Sequence, residues 1–278
     1  MIDTTRFILG VAISTGIGGL AYWRQSLTAG GWLGAIIVGT LTFGAGGWVW
    51  GLTLFAFFIS SSLLSHYREE VKEQRAAEKF SKGGRRDLRQ ALANGGVGAL
   101  LALLYGLFGE PLLLFAAFVG VMATVTADTW ATESGVLSPH QPRLITTGRR
   151  VEPGTSGGIT LLGTGAAAAG GGFIGLAILG FMIIGQMLVG QPVTVAGWLL
   201  PAALLGGLVG ALFDSLLGAT VQAMYRYPGG KETERPVGRD GTPNAFVRGW
   251  RWLDNDLVNL LSSLVGGLVA AIVAGLLA

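Results

Sequence analysis

The stretch "LLPAALLGGLVGALFDSLLGATVQA" (residues 199–223) is apolar except for one acid and a few polar groups near its end. A carboxylate at mid-helix in a bilayer costs about 2.5–3.5 kcal/mol. Such a residue therefore faces protein or water and marks a site. Gly206, Gly210, Asp214, Gly218 and Gln222 recur every four residues, so on a helix they form one small or polar stripe along which another helix or a ligand can approach. Asp128 closes a second apolar run, "GVMATVTADTWATESG", where Thr124, Asp128 and Thr132 share a helical face and Glu133 follows Thr129 by four. A third acidic group opens the last apolar run in "WRWLDNDLVNLLSS". Asp254 and Asp256 stand at its start, and Asn255, Asn259 and Ser262/Ser263 continue a polar face inward. Oxygen donors of this kind suit Mg²⁺, which takes a few carboxylates together with water and phosphate oxygens. Asp128, Glu133, Asp214 and Asp256 are the expected ligands. Simpler readings stay open: Asp214 as the ion-pair partner of a packed helix, Asp128 as a solvated acid at a helix end, and Asp254 as an N-cap.

The other half of a phosphate site lies in "TTGRRVEPGTSGG". Arg149 and Arg150 precede Gly154, Thr155, Ser156 and Gly157. Glycines expose backbone N–H groups, hydroxyls add donors, and a helix opening near Ile159 would add the pull of its N-terminus on anions. The sequence is not a Walker A loop, which needs GxxxxGK[ST]. A second cationic turn, "SKGGRRD", offers Lys82, Arg85 and Arg86 to a phosphate. It reads equally as a signal for anionic lipid or topology. The two histidines, His66 and His140, are far apart and there is no cysteine. Thiolate catalysis, disulfides and Cys-type metal sites are thereby excluded, and a His-rich metal site is not expected.

The elements that must position these groups are membrane spans. Of 278 residues, 51% are hydrophobic and 13% charged, against roughly one quarter charged in a soluble domain. Apolar runs at 7–23, 30–47, 48–65, 91–108, 111–127, 159–190, 195–222 and 257–277 are long enough to cross a bilayer as helices. The fold class is all-α: a single polytopic domain over 1–278 with about eight transmembrane helices, seven to nine being compatible with the runs. The 47 glycines point to close helix packing. Run 7–23 lacks a small-residue cleavage site and reads as a span, not a signal peptide. Run 159–190 exceeds one simple crossing and reads as tilted, broken or re-entrant.

Seventeen of the 19 Lys and Arg fall in connections 66–90, 128–158 and 223–256. An eight-span count puts all three on one face, expected to be cytoplasmic by the positive-inside rule, in the cell (inner) membrane. Connection 66–90 carries a helical pattern up to Phe80. Trp250 and Trp252 are interfacial anchors. No nucleic-acid partner is expected.

Together, "KGGRRDLRQALANGG", "ADTWATESGVLS", "PRLITTGRRVEPGTSGG", "FDSLLGATVQA", "KETER", "GTPN" and "RGWRWLDNDLVNLLSS" resemble the transmembrane protein 19-like integral membrane family (domain of unknown function 92), over roughly residues 30–278. That family includes plastid phytyl-phosphate kinases. The resemblance implies a membrane kinase that moves a phosphoryl group from a nucleoside triphosphate, CTP-like, to a phytyl or isoprenyl monophosphate, with Mg²⁺ as cofactor. In that reading Asp128, Asp214, Arg149 and Arg150 are catalytic. Lys82, Arg85, Arg86, Gly154, Thr155, Ser156, Gly157, Asn255 and Asn259 hold the nucleotide and phosphates. Many relatives carry cysteines around "KETER"; Tyr225–Asp240 has none, so a zinc-stabilised loop is not expected. Two other readings stand beside this one: a prenyl-alcohol kinase or lipid cytidylyltransferase, and an ion-coupled transporter or flippase using Asp214.

Overall fold

The computed structural model describes residues 3–76, 85–238 and 241–278. Eight of its helices are long and apolar enough to cross a membrane: α1 (Thr4–Trp23), α2 (Ala29–Gly46), α3 (Trp48–His66), α5 (Leu88–Leu107), α6 (Leu112–Gly135), α7 (Leu161–Leu188), α8 (Leu199–Thr220) and α9 (Asn255–Leu277). The short α4 (Glu69–Ala76) lies in the connection between α3 and α5. The helical pattern expected up to Phe80 is described only this far, and Lys82 lies outside the described residues.

Run 159–190 is one unbroken helix. The 28 residues of α7 span about 42 Å at 1.5 Å per residue, more than the roughly 30 Å of a hydrocarbon core. Its internal glycines pack instead of breaking it. A Cβ on Gly170 would lie 3.1 Å from Ala127 Cα, and one on Gly171 would lie 2.9 Å from Ala203 O.

The central helix is α6, which packs on α3, α5, α7, α8 and α9 and is buried almost continuously from Phe115 to Ala127. Trp50, Phe115, Phe118, Met122, Ile174, Ile178 and Leu199 fill the core around it. Glycines let α6, α8 and α9 interlock. A Cβ on Gly120 would sit 2.3 Å from Gly266 O, and one on Gly206 would sit 2.7 Å from the same atom. Thr124 Oγ1 bridges this crossing by donating to Gly120 O and lying 3.1 Å from Gly206 O. By contrast, α1 packs mainly on α2, with Trp32 Nε1 donating to Thr15 O.

All three basic connections come to one end of the bundle, where the strands also lie. β1 (Arg143–Leu144) pairs antiparallel with β2 (Gly158–Ile159). β3 (Met224–Arg226) is the middle strand between β4 (Glu232–Thr233) and β5 (Ala245–Arg248). Two- to four-residue strands leave too short an alternation to be read from sequence. The helices that start at this end carry side-chain caps: Thr28 for α2, Asp87 with Gln90 in a capping box for α5, Thr160 for α7 and Asp254 for α9. At the opposite end, α3, α6 and α8 start without one, whereas α1 is capped by Asp3. Helix starts wetted by loops use Ser, Thr or Asp to satisfy free N–H groups.

Candidate functional site

At the loop-bearing end a cavity of about 340 Å³ is lined by α4, the start of α5, the C-terminal turns of α6, residues 154–160, the start of α7, α8 and the start of α9. Asp128 reaches it from α6 and Asp214 from α8. Both are half-buried. Asp214 Oδ2 accepts from Ser262 Oγ at 3.1 Å, so the polar face of α9 continues into the membrane segment and meets the acid. Among the described residues no basic side chain pairs with Asp128 or Asp214. The two also share a narrower crevice below the main cavity, with Asn94, Thr124, Asn259 and Ser262.

The loop 154–158 forms the outer wall. Gly157 has φ +79°, and a Cβ there would lie 2.4 Å from Ala219 Cβ, so both its conformation and its seat on α8 require glycine. Thr155 N donates to Glu152 O and Gly158 N to Thr155 O, which folds the segment into successive tight turns. Such turns present backbone N–H groups to an anion. Ser156 Oγ donates to Gln222 Oε1 at 2.9 Å, and Gln222 Nε2 donates to Glu234 Oε1 at 3.0 Å. Gln222 is 1% exposed. One buried amide thus ties the Gly-hydroxyl loop to an acid of the "KETER" segment, and Glu234 itself lines the cavity.

Arg86 is the cavity's guanidinium. It donates to Ser62 Oγ at 3.2 Å and lies over Phe57 and Phe58. Its backbone is fixed by Arg86 N to Ser26 O and Thr28 N to Arg86 O. Burial pushes its pKa below the ordinary value while Glu133 pulls it up; an arginine stays charged throughout. Lys72, on α4, is the other cation. It is buried, and its ammonium donates to Leu64 O, Ser65 O and, at 2.6 Å, Glu133 Oε2. It therefore caps the end of α3 and neutralises Glu133, which also accepts from Ser65 Oγ at 2.6 Å.

The structure brings together Asp128, Glu133, Asp214, Arg86, Gly154, Thr155, Ser156, Gly157, Asn255 and Asn259. It separates the rest. Arg149 and Arg150 are exposed and do not line the cavity, because the β1–β2 pairing turns that stretch outward. Arg85 donates to Leu27 O and lies over Tyr22, at the α1–α2 connection. Asp256 turns to Arg89 at 3.7 Å, and Asp254 pairs with Arg89 at 2.7 Å while capping α9 through Leu257 N. The four acids expected as metal ligands do not converge. Asp256 is off the cavity, Glu133 is held by Lys72, and no three His, Cys, Asp or Glu among the described residues form a cage. Asp128 and Asp214 remain, a donor pair that fits Mg²⁺, which uses one or two carboxylates and completes its shell with water and phosphate oxygens.

Lys72, Glu234 and Asn94 are not singled out as site residues by the sequence. Lys72 and Glu234 sit in charge-rich segments where solvated residues look the same, and Asn94 opens an apolar run. Gln222 lay on the predicted stripe of α8 without an assigned partner.

Residues 12–267 match the family described as integral membrane protein DUF92. The chain is 34% identical to protein PGR of Arabidopsis thaliana over 96% of each chain. It is 30% identical to an uncharacterized membrane protein of Methanocaldococcus jannaschii over 87% of this chain and 84% of that one. Protein VTE6, chloroplastic, of Arabidopsis thaliana is 28% identical over 88% of this chain and 64% of its own length. No solved structure matches.

Proposed function

The chain belongs to the DUF92 family of integral membrane proteins, and from that premise and the cavity's donor set we propose a membrane-embedded kinase that transfers a phosphoryl group from a nucleoside triphosphate to an isoprenyl monophosphate of the phytyl type. One observation carries the reading. Two aspartates with no basic partner among the described residues share a cavity with Arg86 and the Gly-hydroxyl loop, at the membrane face where a lipid headgroup and a soluble nucleotide can meet. The likeness to a family that includes phytyl-phosphate kinases, and to protein VTE6, supports the substrate class.

In the step, an oxygen of the lipid monophosphate bonds to the γ-phosphorus. The bond from that phosphorus to the β–γ bridging oxygen breaks, and the nucleoside diphosphate leaves with the electron pair. The nucleophile is already anionic, so the chain's work is positioning and neutralisation rather than proton removal. Arg86 donates to phosphate oxygens, and the turns at 154–158 offer backbone N–H groups to the same anion. Asp128 and Asp214 would hold Mg²⁺, which when bound neutralises charge on the nucleotide phosphates. Such a counter-ion is needed here: six carboxylates line the cavity (Glu69, Glu73, Asp128, Glu133, Asp214 and Glu234) against Lys72 and Arg86 among the described residues.

The test is purified protein in lipid nanodiscs with Mg²⁺, labelled CTP or ATP, and phytyl or geranylgeranyl phosphate. The expected product is the lipid diphosphate, reduced at least about 100-fold in Asp128→Ala and Asp214→Ala. Phosphorylation of the free alcohol, or CMP transfer with loss of pyrophosphate, would replace this reaction by a neighbouring one. No nucleotide turnover, with solute flux across reconstituted vesicles, would overturn the kinase.

A further inference from the structure

On its α7–α8 side the cavity has an apolar end that the phosphate chemistry does not use. The helices α7 and α8 touch closely near the middle of the membrane and beyond it, away from the loops. There a Cβ on Gly171 would meet Ala203 O at 2.9 Å, and one on Gly175 would meet Ala203 Cβ at 2.9 Å. Toward the loops each helix turns to a different neighbour. A Cβ on Gly163 of α7 would lie 3.1 Å from Ala131 O of α6, while one on Gly210 of α8 would run into Thr124 of α6, and Asp214 bonds to α9. The two helices therefore part as they rise, and the cavity lies between them, with Thr164 and Ala167 on one side and Ala211, Leu212 and Ser215 on the other.

Three buried alanines, Ala127, Ala167 and Ala211, close the bottom of this wedge, with Leu208 packed against them. The same ends of α7 and α8 carry exposed apolar positions on the outside of the bundle. Leu161 is 92% exposed and Leu216 is also exposed, and a Cβ on Gly165 would meet nothing within 4 Å. At its upper end the wedge is continuous with the wall that holds Ser156 and Asp214. An apolar slot at hydrocarbon depth that runs into a polar cavity at the interface has the polarity profile of a lipid phosphate: tail below, headgroup above.

We propose that the α7–α8 wedge is the lateral entry and seat of the hydrocarbon chain of a lipid monophosphate, and that the Ala127–Ala167–Ala211 floor sets how the first part of that chain is held. This rests on the kinase reading for the identity of the headgroup. The floor residues act by shape. A larger side chain at Ala167 occupies the place of the chain.

Two measurements test it. In the first, Ala167→Leu and Leu212→Trp are assayed with phytyl phosphate and with the five-carbon dimethylallyl phosphate. The expected result is a KM for the long substrate raised about tenfold, the scale of an overfilled apolar site, with the KM for the short one and nucleotide binding unchanged. Equal loss on both substrates, or no change on either, overturns the wedge. In the second, a long-chain alkyl phosphate bearing a diazirine in its chain is photo-crosslinked to the wild-type protein in nanodiscs, with competition by unlabelled lipid phosphate. Labels competed away from residues 161–168 and 208–216 support the wedge whether or not any nucleotide is turned over. Labels on other helices overturn it even if the kinase is active. The two ideas can thus fail separately.

Discussion

Asp214 is tolerated at membrane depth because its carboxylate is neither bare nor neutralised: it accepts one hydrogen bond, from Ser262, and otherwise opens on the cavity. Replacing Ser262 by Ala removes a bond to a charged group, worth about 1.5–3 kcal/mol. On the proposed reading, the expected effect is weaker Mg²⁺ binding: a higher Mg²⁺ concentration for half-maximal turnover. An unaltered Mg²⁺ titration would show that Ser262 does not position this acid. Gly157→Ala is expected to be worse than an ordinary surface change, because the residue has a positive φ and rests on Ala219. A loss of about 1–3 kcal/mol, read by chemical denaturation, should accompany loss of nucleotide binding. Much of this was legible. The four-residue spacing from Gly206 to Gln222 found the stripe, and each member has its counterpart: Gly266 for Gly206, Thr124 for Gly210, Ser262 for Asp214 and Ser156 for both Gly218 and Gln222. What spacing could not give was which loop arginine enters. Arg85, Arg86, Arg149 and Arg150 are alike in sequence, and only Arg86 is turned inward, by backbone bonds to Ser26 and Thr28 on another connection.

At the scale of elements, α4 is fastened by two side chains. Lys72 holds the end of α3 and Glu133 of α6, and Arg75 donates to Val136 O and Ser138 O beyond α6. Glu69 and Glu73 of the same helix line the cavity, so the fastening sets one wall of the site. Lys72→Met leaves Glu133 without its partner in a poorly solvated place, a change expected to cost about 3 kcal/mol. Amide exchange over residues 69–76 should then rise markedly, while exchange in α8 and α9 stays slow. Pairing Lys72→Met with Glu133→Gln should recover most of the protection, and failure to recover would mean the ion pair is not what holds α4. Sequence placed the spans well because hydrocarbon demands long apolar helices and little else satisfies their backbone. The helical pattern of connection 66–90 is met by α4, but the strands were placed poorly. Strands of two to four residues carry no periodicity that outlasts local noise, and their positions come from pairings distant in the chain, such as Tyr225 with Phe246.

For the whole molecule, the alternation of eight spans gathers every basic connection, and every cavity-lining residue, at one end. The absence of cysteine makes that arrangement directly measurable. Single cysteines at Thr146 and at Gln191, on the α6–α7 and α7–α8 connections, should react with an impermeant maleimide from opposite sides of the membrane, with Thr146→Cys labelled from the cytoplasmic side. Labelling of both from one side would overturn the topology. Fold class and span count were readable because they follow from composition and length. The metal set was read less well, because four acids near one membrane face need not point at one another, and Asp256 and Glu133 found cationic partners instead.

The crossing of Gly120, Gly206 and Gly266 has a bearing on how the protein is made. A chain emerges from the ribosome N-terminus first, and domains assemble as their parts become available. The helix that carries Gly266, Ser262, Asn259 and Asn255 is synthesised after both α6 and α8. Until it arrives, α6 and α8 have an unfilled groove between them, and the Asp214 carboxylate waits in the membrane without its hydroxyl. That helix is therefore a keystone: its arrival fills the groove between α6 and α8 and completes the surroundings of Asp214 in the same event.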